Sequence, residues 1–354
     1  MRDNSSIRKI EAVDLFCGIG GLTHGLQKSG IRVVAGIDND EKCKYGYERS
    51  NKTKFISKAI EDMPAKEIAA LYSRGAIRVL AGCAPCQSYS GLNRNDRTED
   101  DNVPIKRFAY LIRTIKPEIV TMENVRGLKD TKHYPIFDYF LGVLKRNGYE
   151  VSYGVVNAAD YGVPQERKRL VLIASRLGKG IKLIDPTHKN KHIPIKAVIG
   201  RLQPIKDGQT DSKDWLHHAR KLNDINKKRI AATPKNGGNA RSWTNDLVLE
   251  CYKKDSGQTY MSTVYGRMRW NKPAPTMTTQ CTGLGNGRFG HPDQNRAISL
   301  REAALIQTFP NNYVFSDPNK NMVTVDLARF IGNAVPVRLG EVIGKSIVRH
   351  IRAH

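Results

Sequence analysis

Six short runs rich in β-branched and apolar residues punctuate the first half of the chain, at 11–16, 33–37, 79–81, 119–122, 151–157 and 170–174. Between them the apolar positions recur at helical spacing, over 22–29, 65–74, 107–115 and 135–147. This alternation of period two and period 3.6 predicts a doubly wound α/β domain with a mostly parallel sheet. A ligand of such a sheet sits at the carboxyl ends of its strands, near the point where the strand order reverses.

From about residue 185 to 318 the texture changes to Lys, Asn, Gly and Thr with weak periodicity, and this stretch holds Trp215, Trp243 and Trp270. Two readings stay open for it: a loop-rich small domain packed by its tryptophans, or a surface that reads a partner through side chains on turns. From 326 to 354 helical apolar spacing returns. Neither a repeat nor a low-complexity tract is visible.

Charge narrows the function. Among 354 residues, 58 Lys and Arg face 34 Asp and Glu, a formal +24. An excess of that size favours a polyanionic partner, with nucleic acid ahead of a membrane surface because no basic amphipathic helix stands out. No run of 18 apolar residues occurs, and the first eight residues are polar, so neither a membrane span nor a signal peptide is expected. The six scattered cysteines suit a reducing cytosol, and the chain is expected to be cytoplasmic and nucleoid-associated. Cys83-x-x-Cys86 has no second pair and no His at zinc spacing, so no metal is expected.

Four motifs carry candidate chemistry. In "DLFCGIGGL" a strand runs into a turn where Gly18, Gly20 and Gly21 let the backbone approach a ligand, and about twenty residues on Asp38 ends a second strand, placed for ribose hydroxyls. The spacing differs from G-x-G-x-x-G and no phosphate-gripping Lys follows, so a nucleoside without a pyrophosphate fits better, pointing to S-adenosylmethionine. In "AGCAPCQSYS" Cys86 sits in a turn after Pro85, before a long polar loop, where a thiol can be exposed and reactive. In "TMENVRGL" Glu123 closes an apolar run, a carboxyl partly buried as a proton donor requires, or else a plain salt-bridge partner of Arg126. In "QERKRLVLIAS" Arg167 and Arg169 alternate onto one face, suiting anion or base recognition or a surface ion-pair ladder.

Together and in this order, "DLFCGIGG", "GIDND", "GCAPCQSYS", "ENVRGL", "YGVPQERKR", "REAALIQTFP" and "IGNAVP" make the chain resemble the DNA cytosine-5 methyltransferases of prokaryotic restriction-modification systems over nearly its whole length. The resemblance implies a Rossmann-like S-adenosylmethionine-dependent methyltransferase domain, formed by 1–185 and 326–354, and a smaller loop-rich target recognition domain at 186–325. It implies methylation of C5 of cytosine in a specific short duplex sequence, with S-adenosyl-L-homocysteine as product. Cys86 would attack C6 of a flipped-out base, Glu123 would protonate N3, and Arg167 and Arg169 would grip the base and backbone.

Cofactor contacts implied in the same way are Phe16, Gly18, Gly20, Gly21, Asp38, Ile60, Pro85, Asn333 and Val335. Those toward DNA are Gln87, Ser90, Gln165, Arg267, Arg269 and Arg288. Asn39 stands where the family often has an aromatic residue after the ribose acid, and Ala59–Ile60 where it often has Asp–Ile. The implied partners are double-stranded DNA and a cognate restriction endonuclease, with the chain a monomer. Rival readings are a tRNA-methylating member, whose Cys-Phe-Thr tripeptide is missing here, and a catalytically silent DNA-binding relative, which the intact Cys86 and Glu123 disfavour.

Overall fold

β1 (Ile10–Leu15), β4 (Ile77–Gly82) and β5 (Ile119–Val125) are buried along almost their whole length, as strands covered on both faces of a parallel sheet are, although β1 carries Glu11 and Asp14 and β5 carries Thr121, Glu123 and Asn124. β2 (Arg32–Asp38), β3 (Lys54–Ser57), β6 (Glu150–Asn157) and β7 (Lys168–Ser175) complete a seven-stranded sheet of order β3-β2-β1-β4-β5-β7-β6. The first five strands of that order run parallel, and β7 runs antiparallel to β5 and β6. The computed structural model describes residues 8–85, 102–130, 135–253, 261, 263–320 and 323–354.

The helices are α1 (Gly21–Lys28), α2 (Lys44–Asn51), α3 (Ala65–Ala69), α4 (Val103–Ile115), α5 (Ile136–Arg146), α6 (Lys196–Ile199), α7 (Asp224–Ala232), α8 (Leu300–Ile306), α9 (Thr324–Asn333) and α10 (Val337–Ile351). The expected doubly wound α/β architecture is present. Two elements escaped the periodicity. β3 is four residues long with only Phe55 buried, and α2 buries only Gly46, Tyr47 and Asn51, so neither shows an apolar stripe.

The chain divides into two compact units. The first comprises residues 1–157, 168–186 and 335–354 and contains the whole sheet. Its core joins strand residues such as Leu80 and Val120 to Phe108 and Ile112 of α4 and Phe140 and Leu144 of α5. α10 returns to this unit and packs on α1 so closely that a Cβ on Gly25 would lie 2.5 Å from Val337 O. Only glycine fits there.

The second unit comprises residues 158–167 and 187–334. Its regular structure is mostly short helix and turn, so buried polar networks carry much of its definition. Arg296 makes a two-pronged ion pair with Glu302 at 2.7 and 2.8 Å, and Glu302 also closes a capping box with Ser299 at the start of α8. Packing by all three tryptophans does not hold. Trp243 is buried and donates its indole N–H to Thr233 Oγ1, Trp270 donates to Asp293 at the surface, and Trp215 is 49% exposed.

Candidate active site

The carboxyl ends of the five parallel strands lie along one edge of the sheet, and the strand order reverses between β1 and β4. Leaving β1, Phe16 and Gly18 take positive φ of 56° and 48°, and Gly20, at 91°, caps α1. A Cβ on Gly20 would overlap Asn51 Nδ2 and come 2.8 Å from the Tyr47 ring, so a side chain is excluded by contact as well as by backbone. Asp38, at the end of β2, fastens the turn by accepting from Gly18 N at 2.8 Å, while its other oxygen accepts from Asp40 N. Burial raises its pKa, opposed by those N–H donors. Ile60 belongs to the buried cluster on which Phe16 packs, giving the turn an apolar flank.

Asp14 was not singled out from the sequence. It is buried within β1, and Oδ2 accepts from Thr23 Oγ1 at 2.6 Å. Its other oxygen, Oδ1, has no hydrogen-bond partner among the described residues. Burial pushes its pKa up to about 7, with Asp38 adding to the effect. A carboxylate inside a strand predicted to be buried was the signal available, and Glu11 of the same strand shares it.

Farther along the edge, Glu123 lies near the end of β5, 7% exposed. Arg169, on β7, brings Nε to 3.4 Å from Glu123 Oε1, an oxygen that accepts no hydrogen bond among the described residues. Burial depresses the Arg169 pKa, and the Glu123 charge opposes that shift. Beside Glu123, Asn124 donates Nδ2–H to Ala84 O at 3.2 Å. That bond fixes the backbone leading out of β4, where Pro85 stands exposed immediately before Cys86. Cys86, Gln87 and Ser90 lie outside the described residues. The alternative partner for Glu123, Arg126, is replaced by Arg169.

Arg167 and Arg169 do not share a face, a correction to the alternation reading. Arg167 belongs to the second unit, is 3% exposed, and donates to the carbonyls of Met277 (2.9 Å), Gly332 (3.2 Å) and Ala334 (3.4 Å). Gln165 is likewise buried, not turned to a partner: it donates to Gln307 Oε1 at 2.7 Å and accepts from Met277 N at 2.8 Å. Gln307 in turn holds Ile331 O and Ala334 O. Arg167 and Gln307 thus bind the end of α9, with Gln165 holding Gln307, and Asn333 is exposed there. Val335 is buried at the approach to α10.

Arg267 is a second correction. It is 1% exposed, and its guanidinium donates to the carbonyls of Thr233, His291, Gln294 and Ile230 and to Asn295 Oδ1. All its donors are consumed in holding loops together, so it reads nothing outside the protein. Arg269 is exposed and Arg288 half-buried. Among the described residues no His, Cys, Asp and Glu group could hold a metal ion.

The chain is similar to known proteins along nearly its whole length. The model of the C-5 cytosine-specific DNA methylases matches residues 10–349. The Type II methylase M.HgiDII of Herpetosiphon aurantiacus is 49% identical over 340 residues, covering 96% of this chain and 95% of that protein. The Type II methyltransferase M.PspPI of a Psychrobacter strain is 30% identical over 352 residues, covering 98% and 80%. A prophage-encoded E. coli structure assigned to the DNA modification methyltransferases superposes with a TM-score of 0.73 at 20% identity, over 97% of this chain and all of that one. This last likeness concerns the fold alone. Glycine turn, strand-end glutamate and family match converge, and the chain belongs to the C-5 cytosine-specific DNA methylases.

Proposed function

We propose that the chain transfers a methyl group from S-adenosyl-L-methionine to C5 of a cytosine within a short duplex DNA word, with Cys86 as nucleophile. One observation carries this chemistry: Glu123, held by Arg169, stands beside Asn124, whose side chain ties down the backbone at Ala84, two residues before Cys86 in the sequence.

Cytosine C6 is a poor electrophile until N3 gains a proton. In the proposed reaction the Cys86 thiolate forms a bond to C6 as Glu123 delivers a proton to N3, which makes C5 nucleophilic. After methylation, loss of the C5 proton and cleavage of the C6–S bond restore the aromatic ring and the thiolate. Inside a duplex neither face of the base is accessible, so the target is flipped out, at a few kcal/mol of unstacking that phosphate contacts offset.

The residues present fit the cofactor. The buried Asp14 Oδ1 is an acceptor lacking a donor, and with Asp38 it makes the turn favourable to a ligand whose methionine end carries positive charge. Asp38 would hold the ribose, Phe16 and Ile60 the adenine, and Gly18, Gly20, Gly21, Pro85, Asn333 and Val335 the remaining contacts. Bound there, the cofactor supplies an electrophilic methyl group. The second unit is the proposed target recognition domain. The Type II names of the relatives support a partner nuclease acting on the same word.

The test is a duplex carrying 5-fluorocytosine at every cytosine. After methyl transfer no proton can leave C5, so elimination stalls and Cys86 stays bonded to C6. A denaturation-resistant, cofactor-dependent adduct is expected with the wild type and none with Cys86→Ser. An adduct that persists in the variant overturns the nucleophile assignment.

A further inference from the structure

Arg267–Arg269 and Arg288–Gly290 run side by side as extended backbone, bridged at Arg267 and Gly290, with Met268 N donating to Gly290 O at 2.9 Å. Against them lies the loop containing Gly237 and Gly238, tied by Arg267 N to Gly238 O at 2.9 Å. Two arginine side chains lie across the faces of two glycines in this arrangement. A Cβ on Gly237 (φ 110°) would overlap Arg269 Nε, and a Cβ on Gly266 would come within 3.1 Å of Arg288 Cγ. Arg288 Nη2 also reaches Gly237 O at 3.4 Å, so both guanidinium groups converge on one residue.

Like charges are thus held together, and no ion pair among the described residues neutralises either one. Burial and the neighbouring Arg269 charge both depress the Arg288 pKa. Lys235 and Arg241, on the same loop, are exposed and add to the local positive potential. A purely structural arginine looks different. Arg267, on the first of these segments, spends every donor on backbone carbonyls and Asn295. Among the described residues the Arg269 side chain makes no such bonds, and Arg288 makes two long ones, from Nη2 to Gly237 O and Arg267 O at 3.4 Å each. Convergent guanidinium donors with unspent valence suit a ligand with paired acceptors.

We propose that Arg269 and Arg288 form a two-guanidinium clamp for a paired-acceptor group of the DNA substrate, seated on Gly237 and Gly266. Two groups of DNA offer that chemistry, a backbone phosphate and the O6/N7 edge of guanine. The clamp deepens the proposed function, since it rests on the second unit contacting DNA.

The experiment uses the full chain with Arg269→Ala, Arg288→Ala, the double variant and the paired Lys substitutions, with thermal unfolding as the folding check. Plasmid DNA methylated in cells is read by bisulfite sequencing, and duplex binding is measured across a salt series. If the clamp holds guanine, the Ala variants lose roughly ten- to hundredfold discrimination at one position of the methylated word, and Lys does not restore it. If it holds a phosphate, affinity falls uniformly over all sequences and the log–log salt slope drops by about one per arginine, with Lys restoring most of it. A folded double variant with wild-type affinity, salt slope and methylated word overturns the clamp. A wild-type protein that leaves DNA unmethylated refutes the functional reading itself, which separates the two failures.

Discussion

Arg169 Nε lies 3.4 Å from Glu123 Oε1, bridging two antiparallel strands at the carboxyl edge of the sheet. The pair is nearly enclosed, at 15% and 8% side-chain exposure, so its field is weakly screened. Arg169 thus holds the carboxyl at the end of β5, and in the proposed reaction it is a positioning residue for Glu123.

Glu123→Gln preserves shape and removes the transferable proton. The expected result is a turnover reduced by about 10²- to 10⁴-fold, with duplex affinity changed only severalfold. Single-turnover methyl transfer and equilibrium DNA binding, measured on the same preparation, check it. Equal loss in both makes Glu123 a structural residue.

Arg169→Met leaves the Glu123 carboxylate buried beside no cation. Stability should fall by about 3–5 kcal/mol at most, and single-turnover methyl transfer should slow well beyond any loss of duplex affinity. Arg169→Lys should recover most of the stability and part of the rate. Wild-type single-turnover methyl transfer in a folded Arg169→Met variant contradicts the positioning role.

The two turn glycines should respond differently. Gly18→Ala meets no atom within 4 Å but keeps a left-handed φ, for a loss of about 1–2 kcal/mol. Gly20→Ala adds overlap with Asn51 and Tyr47, for about 2–4 kcal/mol. Urea unfolding of both variants tests the order, and a larger loss in Gly18→Ala reverses it.

Asp14 gives the fold a pH signature. Its folded pKa, about 7, stands above its ordinary 3.8, so the folded state binds the extra proton between those values. Stability from this group therefore declines as pH rises from about 4 through about 7, and levels off above. Asp14→Asn should flatten that slope while shifting the baseline through Thr23. Parallel stability–pH curves for variant and wild type refute it.

How much was legible follows from what each residue's role depends on. Strands such as 119–122 and 170–174 announce themselves because double-sided burial demands an apolar run. The polar α2 and the short β3 carry no such mark. Glu123, Asp38 and the glycines stand at strand ends, where local sequence sets position. The arginines were not separable: Arg267 and Arg269 differ by two positions in one run, yet tertiary packing spends one on carbonyls and leaves the other exposed. Gln165 and Gln307 meet across 142 residues, a pairing that no local pattern encodes.

The central claim is tested most directly by bisulfite sequencing of DNA from a methylation-free host expressing this chain, alongside Cys86→Ser. The wild type should leave 5-methylcytosine confined to one short word, and the variant none. DNA without 5-methylcytosine from cells holding folded, cofactor-binding protein, or methylation that survives in the variant, contradicts it.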